Sequence, residues 1–116
     1  MASGSFSFST AQSAVPLVTP PVGCFIELTR VSVYCSNANT VNTLAEIGFG
    51  TLVGEKNVTG HPGIAPGSGF IEMAPRGLPL GKGAKNEALA FTCSEPTTGS
   101  VRVNFGYEVY PGGIGS

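Results

Sequence analysis

A strict alternation of apolar and other residues near the C-terminal end constrains the fold of this chain more than any other feature. The alternating apolar positions within residues 99–110 are Val101, Val103, Phe105, Tyr107 and Val109. Because successive side chains of a β-strand point to opposite faces, this period of two predicts a strand with one buried and one solvated face. A lone strand is not stable in water, so the rest of the sequence must supply neighbours for it.

Several other segments show strand patterns. Residues 88–93 place Leu89, Phe91 and Cys93 on one face, and the turn-forming sequence SEPTTG connects them to the alternating strand. This pair predicts an antiparallel hairpin. The remaining strand-like segments are residues 5–10, 25–35, 44–52 and 70–73. Together they predict an all-β fold of about six to eight short strands, as an antiparallel β-sandwich or a jelly-roll-like barrel.

The apolar pattern of residues 25–35 changes phase part-way along. Ile26 and Leu28 occupy even-numbered positions, whereas the alternating apolar residues from Val31 onward occupy odd-numbered positions. One extra residue near Thr29 and Arg30 would return both groups to one face, so the phase change predicts a β-bulge.

Helical periodicity is nearly absent from the sequence. The one stretch that could be tested as a helix, residues 42–47, runs directly into Gly48 and Gly50. Within a strand, these glycines predict a close approach of another backbone or a kink.

Composition limits the class of partner. Charged residues make up 11% of the chain, against about 25% in typical soluble domains. A surface with few charges loses little charge solvation when it is buried in an assembly, although a neutral soluble monomer is an open alternative. The net charge of −1 offers no attraction to phosphate or anionic lipid, so we expect neither nucleic-acid nor membrane partners.

The chain length of 116 residues fits one domain. Three prolines (Pro16, Pro20 and Pro21) precede the first long strand, so we expect residues 1–21 to form an N-terminal arm with a proline-containing linker and residues 22–116 to form a single β-sandwich domain. Within the arm we expect Phe6, Phe8 and Thr10 to contact a partner by adding a strand to its sheet. Removing residues 1–15 should then leave the domain folded.

Residues that could carry catalysis are few. His61 is the only histidine, and the chain has no aspartate, so a Ser-His-Asp triad is impossible, although a Ser-His-Glu triad is not excluded. His61 lies in GHPGIAPGSG and is predicted to be a surface loop residue. The seven glutamates are predicted to lie on solvated faces, and GKGAK at residues 81–85 is predicted to be a turn. We therefore predict no catalytic residues, no cofactor and no metal site.

The three cysteines, Cys24, Cys35 and Cys93, cannot all pair within one chain, and their spacing matches no zinc pattern. We expect them to be reduced and partly buried. One disulfide with a leftover thiol is the alternative.

A resemblance to a known class of protein is carried by residues 77–110, which read GLPLGKGAKNEALAFTCSEPTTGSVRVNFGYEVY. They resemble the C-terminal portion of small tailed-bacteriophage virion proteins of the capsid decoration (cement) or head-fibre type. Such proteins commonly end in a Gly-rich turn, a strand, a second turn and a last strand. Residues 24–52, CFIELTRVSVYCSNANTVNTLAEIGFGTL, look like the first hairpin of the same domain.

The resemblance implies a β-sandwich or jelly-roll-like domain, often a homotrimer, that binds the major capsid protein on the outer capsid surface and braces the shell. It implies no catalytic residue. We therefore expect a non-enzymatic virion structural protein, made in the host cytoplasm since the N-terminal residues lack the features of a secretory signal. Two alternatives stay open: a tail-associated or receptor-binding β module that recognises a host glycan or protein, and a small hydrolase.

Overall fold

The computed structural model describes residues 2–52, 56–75 and 78–112, which are built from nine β-strands. In chain order these are β1 (Ala2–Phe8), β2 (Gln12–Val18), β3 (Cys24–Cys35), β4 (Thr43–Phe49), β5 (Asn57–Ile64), β6 (Gly69–Met73), β7 (Gly81–Lys82), β8 (Leu89–Cys93) and β9 (Val101–Pro111). The first sheet has the order β1-β9-β3-β6, with β7 also paired to β3, and the second has the order β2-β8-β4-β5. All strand pairs are antiparallel, which confirms the predicted all-β sandwich.

The core lies between the two sheets and follows the predicted alternation. Val101, Val103 and Phe105 of β9 are fully buried, and they face Phe91 and Ile47 of the second sheet within one apolar cluster. Burying each such side chain contributes about 1.5–3 kcal/mol to folding. The alternation of β9 therefore marks the residues that hold the two sheets together.

The predicted bulge in β3 is confirmed. The pairing of β3 with β9 shifts register between Leu28 and Arg30, so that Thr29 has no directly opposite residue on β9. Leu28 and Val31 are both buried on either side of the shift. The extra residue lets the apolar residues on both sides of the shift, including Leu28 and Val31, share the core face.

The predicted hairpin between residues 88–93 and 99–110 is wrong. β8 pairs with β2 and β4 in the second sheet, whereas β9 pairs with β1 and β3 in the first. The connection crosses between the sheets: at one end the Ser94 N–H donates to the carbonyl of Leu44 in β4, and at the other the Ser100 carbonyl accepts from the N–H of Ser36, which directly follows β3. The expected hairpin in residues 24–52 is also wrong, because β3 and β4 lie in opposite sheets. A period of two identifies the buried face of a strand but not the sheet that contains it.

The division of the chain at residue 21 needs correction as well. β1 pairs with β9 at every position of Ala2–Phe8, and β2 pairs with β8, so both N-terminal strands are parts of the sandwich. Phe8 packs against the core cluster. Removing residues 1–15 would take away one strand and part of another, so we no longer expect the remainder to stay folded.

Two of the strands that the sequence patterns did not indicate, β2 and β5, contain Pro16 and Pro62. Proline cannot donate to a strand ladder, which normally argues against a strand. Both strands lie at edges of the second sheet, where one side of the backbone needs no partner. The edge position therefore explains why these prolines are tolerated.

Candidate functional site

The three residues predicted to contact a partner lie in and beside β1. Phe6 stacks on Phe105 of its own chain with ring centroids 6.1 Å apart, and Phe8 stacks on Phe91 at 5.7 Å. Thr10 is exposed, and its carbonyl accepts a bond from the Cys93 thiol at 3.7 Å. These residues help to close the sandwich of their own chain, while Phe6 remains 40% exposed.

A groove on the outer face of the first sheet arises from the β3 bulge. β6 and β7 pair with successive parts of the same edge of β3, on either side of the bulge. Two backbone hydrogen bonds join the residues next to these strands to β3: the Ala74 N–H donates to the Thr29 carbonyl at 2.9 Å, and the Leu80 N–H donates to the Leu28 carbonyl at 2.7 Å. The space between the sheet and residues 73–75, 78 and 79 is about 590 Å³.

We call this space the bulge groove. Its floor is polar and consists of Glu27, Thr29, Arg30, Glu108 and Tyr110. Its wall is apolar and consists of Met73, Ala74, Pro75, Leu78 and Pro79. A polar floor beside an apolar wall suits a ligand that is itself amphipathic.

Two carboxylates stand side by side on the floor. Glu27 of β3 is directly opposite Glu108 of β9, and on its other side it is opposite Lys82 of β7. The Lys82 Nζ lies 3.7 Å from a carboxylate oxygen of Glu27. Among the described residues no cationic group lies within 4.0 Å of Glu108. The floor therefore carries one carboxylate whose charge is not paired within the part of the chain that the structure describes.

Tyr110 completes this end of the groove. Its hydroxyl donates a hydrogen bond to the Glu108 carboxylate, and this bond raises the pKa of Tyr110, because losing the proton would leave two negative groups in contact. Its ring stacks on Phe25 with centroids 5.5 Å apart. The ring and the hydroxyl thus each have a partner within the sheet.

Arg30 reaches the floor by lying across a glycine. A Cβ atom at Gly106 would stand 2.8 Å from Nε of Arg30, a separation that real Cβ atoms do not show. The absence of a side chain at this position therefore lets the guanidinium stem lie against β9. Thr29, beside it, has a buried hydroxyl without a hydrogen-bond partner among the described residues.

Two apolar side chains of the groove wall, Met73 and Leu78, are largely exposed, and so is Ile71, two residues before Met73 in β6. Ile71, Met73 and Leu78 have 71%, 68% and 63% of their surface accessible. Met73 is directly opposite Arg30 in the sheet pairing, so it projects from the same outer face as the groove floor. We call these three residues the apolar rim. Exposed apolar side chains gathered beside a groove are typical of surfaces that bind another protein.

His61 is at the surface as predicted, but it lies in β5 and not in a loop. Its Nδ1 accepts a bond from the Gly63 N–H at 3.2 Å. It lines a shallow groove with Glu46, whose carboxylate accepts a bond from Asn57 at 2.9 Å, and with Thr59. Within the described residues no hydrogen bond joins His61 to Glu46 or to a hydroxyl group, so these residues do not form the hydrogen-bonded chain of a Ser-His-Glu triad.

The cysteines are free thiols in the structure, as expected. Cys35 and Cys93 are buried, which raises the pKa of each thiol, and Cys24 is half-buried. Within the described residues, no three side chains of the His, Cys, Asp or Glu type gather as a metal site would require. The same part of the chain forms no helix of the length and apolarity needed to cross a bilayer.

Comparison of the chain with profiles of known protein families, with curated proteins and with solved structures gave no match.

Sequence reasoning missed the bulge groove. The phase change at Thr29 was a visible signal for the bulge, but the facing of Glu27 and Glu108 depends on the register between two strands far apart in the chain. No pattern in a single sequence reports that register.

Proposed function

We propose that the protein is a non-enzymatic structural protein of a bacteriophage particle, which decorates the outer capsid surface and stabilises it through contacts with the major capsid protein. The observation that carries the proposal is the apolar rim beside the bulge groove, a surface suited to a protein partner. Ile71, Met73 and Leu78 would be buried against the capsid, and this burial supplies the favourable free energy of binding.

The charge pattern supports a protein partner of mixed polarity. Glu108 has no cation within 4.0 Å among the described residues, while Arg30 lies nearby on the same floor. A capsid segment with a basic side chain next to apolar ones would match both the floor and the rim. The low overall charge, 11% of residues, keeps the desolvation cost of such a contact small. Many copies bound to one lattice would also gain by multivalency.

We propose that the protein binds the capsid as a homo-oligomer. The resemblance implies a homotrimer, placed where capsid subunits meet. The virion is the proposed location, reached after synthesis in the host cytoplasm.

The first experiment is to label virions of the source phage with an antibody to this protein and to image them by electron microscopy. Label over the head supports decoration. Label confined to the tail tip favours the alternative below, and particles without label would overturn both proposals.

A second experiment tests the surface. The triple variant Ile71→Ser, Met73→Ser, Leu78→Ser should lose co-sedimentation with capsids, whereas Val22→Ser should not, although Val22 is 96% exposed. Equal binding by the two variants would reject the apolar rim as the docking surface. The triple variant and Val22→Ser change only exposed side chains, so thermal melting should show that both proteins are folded.

The alternative is a tail-associated module that recognises a host glycan or protein. The observation that favours it is the Tyr110 ring held between Phe25 and the Glu108 carboxylate, since an aromatic ring and carboxylate acceptors together can bind a sugar. Binding of purified protein to host cells, lost in Tyr110→Ala and retained in Val22→Ser, would support this function over decoration.

We also infer that the protein is not a hydrolase. A glycosidase needs two carboxylates in one cleft, so Glu27 and Glu108, which face each other across β3 and β9, are the pair on which such an activity would depend and the pair to test. Chromogenic glycosides should be cleaved no faster by the native protein than by Glu108→Gln. A rate that falls a hundredfold or more on that substitution would show that the pair is catalytic.

A further inference from the structure

The four edges of the two sheets are not equally protected against pairing with another strand. β2 contains Pro16, two register shifts and Ala14 with a φ of 48°. β5 contains Pro62 and pairs irregularly with β4. β6 has five residues and carries Glu72. Prolines, irregularities, charges and short length are the devices by which proteins keep sheet edges from associating.

β1 has none of these devices. It is seven residues long, contains no proline and no charged residue, and pairs with β9 in an unbroken register. Among the described residues no strand pairs with its other side. Half of its backbone N–H and C=O groups therefore point away from the sheet, in a regular row that a further strand could meet.

The sequence of β1 suits pairing with itself. Ser3, Ser5 and Ser7 lie on the outer face of the sheet, opposite polar or glycine positions of β9, whereas Phe6 and Phe8 are opposite buried valines on the core face. Residues directly opposite each other in a sheet project from the same face. Two copies that keep their cores on the same side must therefore place serine opposite serine.

This requirement selects one register with full overlap. An antiparallel pair centred on Ser5 joins all seven positions of Ala2–Phe8, whereas centring on Gly4 or Phe6 shortens the overlap to five. In the Ser5 register, Ser5 meets Ser5 of the second copy, and Phe6 meets Gly4.

The pairing of Phe6 with Gly4 accounts for one feature of the edge. Phe6 is 40% exposed although it lies on the core face. Gly4 has no side chain, and the ring of Phe105 of its own chain occupies the space that a Cβ would need, only 2.6 Å from the nearest ring carbon. Each copy would cover the exposed part of the other's Phe6 ring.

We propose that β1 pairs antiparallel with β1 of a second copy, about a two-fold axis at Ser5, and joins the two first sheets into one continuous sheet. The proposal does not depend on the virion function. It differs from the trimer that the resemblance implies, because a two-fold axis of this kind gives a dimer or an assembly with an even number of copies.

Cross-linking at the axis tests the register. In a Cys24→Ser background, which leaves only the buried Cys35 and Cys93, the variant Ser5→Cys should form a disulfide-linked dimer on mild oxidation. Opposite Cβ atoms at this position are about 4.5–5.5 Å apart, which small strand movements bring into disulfide range. Ser3→Cys is the matched control on the same strand and face. It should not cross-link alone, but it should do so when mixed with Ser7→Cys.

The mass of the protein in solution gives a second, independent measurement. Light scattering should report twice the mass of one chain for the native protein and for Ser68→Lys, an exposed position beside the opposite edge of the sheet. Ser5→Lys should be monomeric, since two ammonium groups would meet at the axis. A native monomer or trimer, or cross-linking of Ser3→Cys alone as strong as that of Ser5→Cys, would overturn the proposal.

Discussion

Glu27 and Glu108 face each other directly across β3 and β9, on the floor of the bulge groove. Like charges in this position lower the stability of a sheet, by about 0.2–1 kcal/mol for a cross-strand pair. Lys82, at 3.7 Å from Glu27, offsets part of the repulsion. A pair that costs stability and lines a groove is better explained by a binding role than by a structural one.

The first prediction concerns this pair. Glu108→Gln should raise the free energy of unfolding by about 0.5 kcal/mol, because it removes the repulsion and keeps an acceptor for the Tyr110 hydroxyl. Urea denaturation measures the change. Glu72→Gln is the control, since Glu72 is opposite Val31 and has no carboxylate facing it across that pair. A loss of stability in Glu108→Gln would mean that the carboxylate stabilises the folded chain.

A second prediction compares two glycines with different neighbours. A Cβ at Gly106 would meet the movable side chain of Arg30, whereas a Cβ at Gly48 would stand 2.0 Å from the backbone carbonyl oxygen of Lys56. Gly106→Ala should therefore cost about 1 kcal/mol and Gly48→Ala about 3 kcal/mol or more, since a side chain yields more readily than a strand.

The same variants separate stability from binding. Gly106→Ala should lift Arg30 from the floor of the bulge groove and reduce co-sedimentation with capsids at a temperature where the variant is fully folded. Similar stability losses in Gly106→Ala and Gly48→Ala would contradict the packing described for Arg30.

Acid titration gives the third prediction, at Glu87. Burial alone would raise the pKa of this carboxyl group, but the bond from the Ala84 N–H at 3.0 Å and the contact with the Lys56 ammonium outweigh it, and the pKa is lowered. A lowered pKa in the folded state means that the carboxylate contributes stability above the pKa of the unfolded chain, and that this contribution is lost as the pH falls through the folded value.

The test is a comparison of the native protein with Glu87→Gln. The native protein should be the more stable at neutral pH, and the difference should shrink as the pH falls below about 4.5. A difference that does not change between neutral and acidic pH would show that the charge of Glu87 is not its source.

The fourth prediction tests whether the N-terminal strand belongs to the core. Phe8 stacks on Phe91 and packs against the central cluster, so Phe8→Ala should lower the free energy of unfolding by about 2–3 kcal/mol. Ser7→Ala, on the exposed face of the same strand, should change it by less than about 0.5 kcal/mol. Equal stability of the native protein and Phe8→Ala would mean that β1 is an arm outside the domain and not part of its core.

Much of the fold was predictable from the alternation of apolar residues along each strand. Positions 101, 103 and 105 of β9, the phase change in β3 and the close approach at Gly48 all report local constraints, and the structure confirms each of them. Val109, expected on the same buried face of β9, is 40% exposed instead. The partners of each strand were not predictable, because the alternation of apolar residues carries no information about which sheet a strand joins. β8 and β9 show this, since they are adjacent in the chain and lie in opposite sheets.

The candidate site was less predictable than the fold. Its carboxylates come from β3 and β9, which are far apart in the sequence, and most of its wall comes from residues beyond the end of β6, which show no strand or helix pattern in the sequence. Phe6 and Phe8 were correctly placed in a strand, but their aromatic contacts with Phe105 and Phe91 become apparent only after the sheets are assembled.

The pairing of β1 with β9 also sets the order in which the chain can fold. As a ribosome releases the polypeptide, β1 emerges long before β9, and the interior position of β9 between β1 and β3 stays empty until residues 101–111 have been made. Contacts between distant parts of a sequence form slowly because the intervening chain must first be brought together. The first sheet is therefore completed after all four strands of the second sheet have left the ribosome.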